Sequence, residues 1–275
     1  MPFVILLFMN KIDRALYEFR EMDELAEQDS PVHRFPVLPK VLLTILYILI
    51  VLSFHKYDLS SLSVMILFPV FFYQLSGIPL RKCFYKLRFV LPLVMAVGIL
   101  NPLFDHTVVM MIGPLSVTGG WISMLTLMLK GILALTASFL LVATSGIARI
   151  CAALRRMHVP SVLVTLLLLT YRYITVLSEE VSVMSNAYHL RAPRQKGIEY
   201  SAWGSFLGQL LLRSMDRAEE IYQAMLLRGF HGHFHYVDEK PASPKDWLTG
   251  LLIGALIVFC RYYNVASFLG SLFVR

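Results

Sequence analysis

Residues 121–143 read WISMLTLMLKGILALTASFLLVA, and Lys130 is the one charged side chain among these 23 residues. A helix that crosses the hydrocarbon core of a membrane needs about 20 mostly apolar residues. The stretch therefore predicts a membrane-spanning helix. We interpret Lys130 as a side chain that lines a helix–helix contact or extends to the interface, with a role in transport as the alternative.

The composition of the whole chain also indicates a membrane protein. The 275 residues are 57% hydrophobic and only 16% charged, whereas an average soluble domain is about 45–50% apolar and about 25% charged. A soluble protein this apolar would expose large apolar patches and aggregate. The net charge of +7 is concentrated at the ends of the apolar runs. It does not form a basic stripe interleaved with aromatic residues, so no nucleic-acid partner is expected.

Four further apolar runs predict membrane spans, at residues 38–54, 59–75, 89–104 and 247–263. The loop at 81–88 carries four Lys or Arg residues, and the loop at 105–120 carries none. Because Lys- and Arg-rich loops stay in the cytoplasm, the first loop faces inward and the second outward. The N-terminus and the chain after residue 143 then lie in the cytoplasm.

Residues 144–244 differ from these runs because they contain many arginines and glutamates, and their apolar stretches are too short to span. Three helices are predicted here, at about 146–157, 161–190 and 202–227, with Ser161 as an N-cap and Gly229 after the last helix. The fold class is therefore an all-α membrane protein of about five transmembrane helices plus a cytoplasmic domain of about three helices. The predicted segments are a cytoplasmic lead-in (1–37), a four-span membrane domain (38–143), the cytoplasmic helical domain (144–244), and the last span with its tail (245–275).

Two short segments of the cytoplasmic domain resemble each other. Each has an alanine, three intervening residues, an arginine and a small residue: Ala187, Arg191 and Ala192 in the first, and Ala224, Arg228 and Gly229 in the second. The spacing places each alanine one turn before its arginine on the same helix face. An arginine at a helix end offers five donors to a carboxylate or to carbonyl groups. The helix dipole also favours arginine at this position. The spacing alone therefore does not decide between a binding contact and an arginine that only stabilises its own helix.

The sequence contains no G-x-x-x-x-G-K-[ST] nucleotide loop, no H-E-x-x-H and no G-x-S-x-G. Its three cysteines are isolated, which favours neither a zinc site nor a disulfide framework. His231, His233 and His235 alternate with other residues and suggest a divalent-metal site. We interpret this run instead as a polar linker, so no metal or other cofactor is expected in this chain.

Taken in order along the chain, several motifs make the sequence resemble the transmembrane T component of energy-coupling factor (ECF) transporters, in particular the cobalt branch, CbiQ. The resemblance covers nearly the whole chain. It rests on residues 12–14 (IDR), 76–82 (SGIPLRK), 101–104 (NPLF), 113–116 (GPLS), 154–160 (LRRMHVP) and 169–174 (LTYRYI), and on the two Ala-x-x-x-Arg segments.

The resemblance implies a non-catalytic permease and scaffold subunit in the cytoplasmic membrane. In that family two cytoplasmic helices end in Ala-Arg-Gly-type motifs that dock into two ABC-type ATPases. Arg191 and Arg228 would be the coupling arginines, with Ala187 and Ala224 before them. Gly229 matches the glycine of the motif, whereas Ala192 departs from it. The partner ATPases would bind ATP and Mg²⁺, and a separate membrane subunit would bind the substrate.

The sequence leaves alternatives open on substrate and on protein class. A T component for nickel, biotin or several vitamins is the nearest alternative to one for cobalt. A transporter that acts alone is a second, although the predicted spans contain few ionisable groups. A membrane-embedded enzyme is a third, which no paired carboxylates or histidine cluster at a span end supports.

Overall fold

The computed structural model describes residues 21–78, 83, 88, 91–104, 108–112, 115–193, 195, 198–231 and 243–262. After a helical stretch at 21–26, these residues form ten helices and one β-hairpin. The helices are α1 (Pro31–Arg34), α2 (Val37–Leu52), α3 (Leu59–Val64), α4 (Leu67–Ser76), α5 (Leu91–Phe104), α6 (Gly119–Ser145), α7 (Ile147–Arg156), α8 (Ser161–Arg191), α9 (Trp203–Leu227) and α10 (Pro244–Tyr262). The strands are β1 (Val108–Ile112) and β2 (Leu115–Thr118).

The chain divides into two compact units. One consists of residues 25–146 with 239–275, and the other of residues 147–238 with 1–24. Helices α1 to α6 and α10 therefore belong to the first unit, which we call the membrane unit. Helices α7, α8 and α9 belong to the second, which we call the tip unit. The side of the membrane on which each segment lies remains a prediction from loop charge.

Each of the five apolar runs that predicted spans is helical over most of its described residues. By length and composition, three stretches of the described chain are apolar enough to cross a membrane: Leu59–Ser76, Gly119–Ser145 and Ser161–Arg191. Helices α2 and α5 have 16 and 14 residues, and α10 carries Lys245, Asp246 and Arg261 near its ends.

Helix α8 departs from the sequence expectation that residues 144–244 contain no stretch long enough to span. The run at 162–169 is short by itself, but α8 continues through 31 residues, and the tyrosines, isoleucine and valine that follow keep it apolar. Only 11% of its apolar window is buried within the chain. Most of this helix surface is therefore left for lipid or for a partner.

The predicted span at 59–75 is broken into α3 and α4 at Met65 and Ile66. Pro69 in the first turn of α4 has no N–H, so a continuous helix would leave the carbonyl of Met65 without its usual donor. The hydroxyl of Tyr47 on α2 donates to that carbonyl at 2.9 Å, and Tyr47 itself is fully buried. Its ring stacks on Phe68 with 4.5 Å between centroids. A neighbouring helix thus satisfies the backbone group that the proline frees.

Helices α2 and α6 run antiparallel, and each supplies a lysine to the C-terminal end of the other. Lys40, near the start of α2, donates to the carbonyl of Thr144 in the last turn of α6 at 3.3 Å. Lys130 of α6 donates to the carbonyls of Leu52 and Phe54, at 3.2 and 2.5 Å. Lysines at helix C-termini satisfy free carbonyls and oppose the negative end of the helix dipole. Lys130 therefore lies at a helix–helix contact.

A third cation reaches the same end of α2. Arg261 of α10 donates to the carbonyl of Ser53 at 3.1 Å, and its guanidinium lies 4.3 Å from the centroid of the Phe54 ring. Three consecutive carbonyls at the end of α2, at residues 52–54, thus accept hydrogen bonds from cations on two different helices. These contacts tie α6 and α10 to the end of α2.

The loop at 105–120 contains the one departure from all-α structure among the described residues. Strands β1 and β2 pair antiparallel, from Val108 opposite Thr118 to Ile112 opposite Leu115, with an irregularity between Val108 and Met110. A run of β-branched and apolar residues followed by Gly113-Pro114 is typical of a hairpin. From the sequence, this segment is predicted only as a loop without Lys or Arg.

Helices α5 and α6 approach closely because each presents a glycine to the other. A Cβ at Gly131 would lie 3.1 Å from Cγ1 of Val94, and one at Gly98 would lie 3.3 Å from Cγ of Met124. Small residues at such contacts let two helix backbones approach within a membrane. The pair of glycines therefore sets the spacing of these two helices.

The lysine contacts yield a first prediction. Replacing Lys130 by Met removes the donor to Leu52 and Phe54 but keeps a long side chain. We expect the free energy of unfolding to fall by about 1–3 kcal/mol, because two carbonyls lose a charged partner. Thermal unfolding of the detergent-purified protein, followed by circular dichroism, measures the change. Lys245→Met is the control, since Lys245 is exposed at the start of α10. Equal midpoints for the two variants would contradict the role given to Lys130.

The glycine contact yields a second prediction. Gly131→Leu should lower the free energy of unfolding by about 1–3 kcal/mol, because the new side chain collides with Val94. Gly208→Leu is the matched control: no atom lies within 4 Å of a Cβ at Gly208. Both variants are compared by the same thermal unfolding measurement, and similar midpoints would show that α5 and α6 are not packed through Gly131.

Candidate functional site: two helix tips

The two Ala-x-x-x-Arg segments lie at the C-terminal ends of α8 and α9, both in the tip unit. Helix α8 ends at Arg191, and α9 ends at Leu227 with Arg228 as its C-cap. We call residues 187–192 the first tip and residues 224–229 the second tip. The structure thus brings all six predicted coupling residues to two helix ends of one unit.

The start of α8 differs in one detail from the sequence prediction. Ser161 was predicted to be the N-cap, but it is the first helical residue, and Pro160 is the N-cap without a side-chain hydrogen bond. The carbonyl of Pro160 accepts hydrogen bonds from the N–H groups of Leu163 and Val164, at 3.0 and 3.3 Å. The rigid ring of proline holds the extended backbone that precedes the helix.

The second tip ends in a Schellman motif. Phe230 N–H donates to the carbonyl of Met225, and Gly229 N–H donates to that of Leu226, both at 3.0 Å. Gly229 has φ of +81°, a left-handed conformation that glycine adopts without a steric penalty. The glycine after Arg228 therefore stops the helix immediately beyond the arginine.

The helix of the first tip also ends at its arginine, but without a left-handed residue. Ala192 stays outside the left-handed region, at φ −126° and ψ 61°. The chain beyond it is held by Tyr188, whose hydroxyl donates to Oε1 of Gln195 at 2.5 Å and accepts from the N–H of Glu199 at 3.2 Å. Gln195 in turn donates to a carboxylate oxygen of Glu199 at 3.0 Å. We call these three residues the tyrosine strap.

Both tip arginines are exposed and without a hydrogen-bond or ion-pair partner in the part of the chain that the structure describes. Other arginines of the same helices are paired. Arg213 of α9 forms an ion pair with Glu180 of α8, and Arg217 lies 3.2 Å from Glu220. The tip guanidiniums are thus available to a carboxylate or to carbonyls of another molecule, in the bidentate geometry that arginine favours.

Each tip also presents an exposed leucine that the sequence analysis missed. Leu190 and Leu227 immediately precede the arginines, and their side chains are 83% and 90% exposed. They are the two most exposed aliphatic side chains in the described chain. Both segments share the pattern Ala-x-x-Leu-Arg, so alignment of the two segments with each other would have found the leucines.

The structure describes one of the three alternating histidines, so the linker interpretation stays a prediction. His231 is exposed, and His233 and His235 lie outside the described residues. Among the residues that are described, no three His, Cys, Asp or Glu side chains come together in a way that would hold a metal ion. Cys83 and Cys151 are buried free thiols, and Cys260 is a half-buried one.

Comparison with known proteins places the chain in a transport family. The profile of the cobalt transport protein family, CbiQ, matches residues 28–237. The nickel permease LarQ of Lactiplantibacillus plantarum is 27% identical over 122 residues, which is 43% of this chain and 45% of that protein. The cobalt transport protein CbiQ of Rhodobacter capsulatus is 30% identical over 116 residues, 41% of this chain and 46% of that protein.

A third relative, an uncharacterised protein of Methanocaldococcus jannaschii, is 27% identical over 198 residues, 67% of this chain and 68% of that protein. The chain thus aligns with less than half the length of the first two relatives. The family match is broader and covers well over half of the 275 residues. The chain is a multi-pass membrane component of a transporter, and it belongs to the CbiQ family of cobalt transport proteins.

Proposed function

We propose that this chain is the T component of an ECF importer and transmits the movement of two ABC-type ATPases to a separate substrate-binding membrane subunit. The observation that supports this most strongly is the pair of helix tips, each ending directly after an exposed arginine with no partner among the described residues. Two such tips in one unit provide two points of attachment for soluble subunits.

In this proposal the chain has no catalytic role and binds no cofactor. The ATPases bind ATP and Mg²⁺, and their closure moves the tips. The two tips and the N-terminus lie on the cytoplasmic face of the cell membrane, where ATP is available. Charge distribution supports that side, since the loop at 81–88 is rich in Lys and Arg and the loop at 105–120 has neither.

The proposed cargo is a divalent metal ion, with cobalt as the first candidate. The family description and one relative name cobalt, whereas another relative of similar identity is a nickel permease. Nickel is therefore the second candidate. Uptake of labelled cobalt, nickel and biotin by cells that express this chain with its partner subunits separates these possibilities, and uptake of biotin alone would contradict a metal cargo.

A charge-reversal experiment tests the coupling role. In the double variant Arg191→Glu/Arg228→Glu, each tip presents a carboxylate where the partner is expected to offer one. Loss of one member of a buried charged pair costs about 2–5 kcal/mol, or roughly 30-fold or more in affinity. We expect the ATPases to be lost when the complex is purified through a tag on this chain, and substrate uptake to stop.

The matched control is Arg217→Glu, a charge reversal on α9 at an exposed residue whose ion-pair partner, Glu220, lies on the same helix. It should retain both ATPases and uptake. Undiminished co-purification and uptake in the double variant would overturn the proposal. Uptake by the unmodified chain in a host without ABC-type partner ATPases would instead favour a transporter that acts alone.

A further inference from the structure

We propose that Leu190 and Leu227 are the apolar anchors of the two tips, and that each inserts into an apolar pocket of a partner ATPase beside the group that binds the neighbouring arginine. This inference rests on the proposed function, because it names the residues that would form the contact. It goes beyond the arginines by assigning part of the binding free energy to two leucines.

The first argument is the geometry of the helix face. In each tip the alanine, leucine and arginine occupy positions i, i+3 and i+4, so they lie on one face of the helix. In the first tip these are Ala187, Leu190 and Arg191, all of them exposed. Residues at i, i+3 and i+4 are the usual anchors of a helix that docks in a groove. The small alanine leaves room for the wall of the groove.

The second argument is the exposure of the leucines. Leu190 and Leu227 are 83% and 90% exposed. The most exposed leucine of the membrane unit, Leu251, is 71% exposed, although its helix, α10, is expected to face lipid. An apolar side chain in water is unfavourable in proportion to its exposed area. Both leucines stand next to a guanidinium with no partner among the described residues, which is the mixed apolar and charged chemistry of a protein interface.

The third argument is that two different terminations give the same result. The second tip stops through the left-handed Gly229, and the first stops at Ala192 with the tyrosine strap behind it. In both, the helix ends directly after the Leu-Arg pair, so that the pair protrudes. Because both tips present the same exposed leucine and arginine, their binding sites on the partner should have the same chemistry. A pair of like subunits meets that requirement.

The test uses the full chain in detergent and the purified ABC-type ATPases of the same transporter, with affinity measured by biolayer interferometry. Leu190→Ala and Leu227→Ala keep the helices intact, because alanine is the best helix former. Each should weaken ATPase binding about tenfold, equal to about 1.4 kcal/mol. Leu227→Met should restore most of the affinity because it restores the buried apolar volume.

Matched controls are Val183→Ala on α8 and Leu212→Ala on α9, whose side chains are 61% and 57% exposed away from the tips. They should bind the ATPases as the unmodified chain does.

If the leucine variants bind the ATPases normally while Arg191→Glu/Arg228→Glu does not, the assignment of the leucines as anchors is wrong and the coupling role of the arginines stands. If the arginine variant also binds normally, the proposed function itself fails. A change in oligomeric mass with unchanged ATPase affinity would assign the leucines to contacts between copies of this chain and overturn the proposal.

Discussion

A backbone carbonyl freed at a helix end in an apolar environment needs a donor, and three cations of the membrane unit supply one. Lys130 and Arg261 donate to the three carbonyls that follow α2, and Lys40 donates to the end of α6. Tyr47 donates to the carbonyl that Pro69 leaves free. Because a carbonyl without a donor is unfavourable in an apolar environment, these contacts stabilise the ends of the helices.

The two arginines at the tips behave in the opposite way. Arg191 and Arg228 also stand at helix C-termini, but the structure gives neither a partner among the residues it describes. The chain beyond each arginine is instead held by Gly229 in one tip and by Tyr188 in the other. Backbone N–H groups satisfy carbonyls at both helix ends, so each guanidinium is left for another molecule. A scaffold that transmits movement between subunits needs rigid helices with binding groups at their ends.

Much of the fold follows from sequence because apolar length and loop charge are strong signals in a membrane protein. The spans at 121–143 and 38–54 and the helices that carry the tips were predicted close to their observed ends. The break at Met65 was not, since it depends on Pro69 together with a hydroxyl from another helix. The length of α8 was predicted, but not that it is apolar enough to cross a membrane, because its polar residues interrupt the apolar run. The leucines of the tips were missed because exposure depends on tertiary packing, which a pattern of residue types does not show.

The central claim is that both tips contact the ATPases at once, and cysteine cross-linking tests it most directly. Single cysteines in place of the exposed Ala187 and Ala224, in a chain without Cys83, Cys151 and Cys260, are labelled in the assembled transporter with a short thiol-reactive photo-crosslinker, which needs no thiol on the partner. The account predicts cross-links from both positions to ATPase subunits and none from a cysteine at Gly208. Cross-links from only one tip, from neither, or equally from position 208 would contradict it.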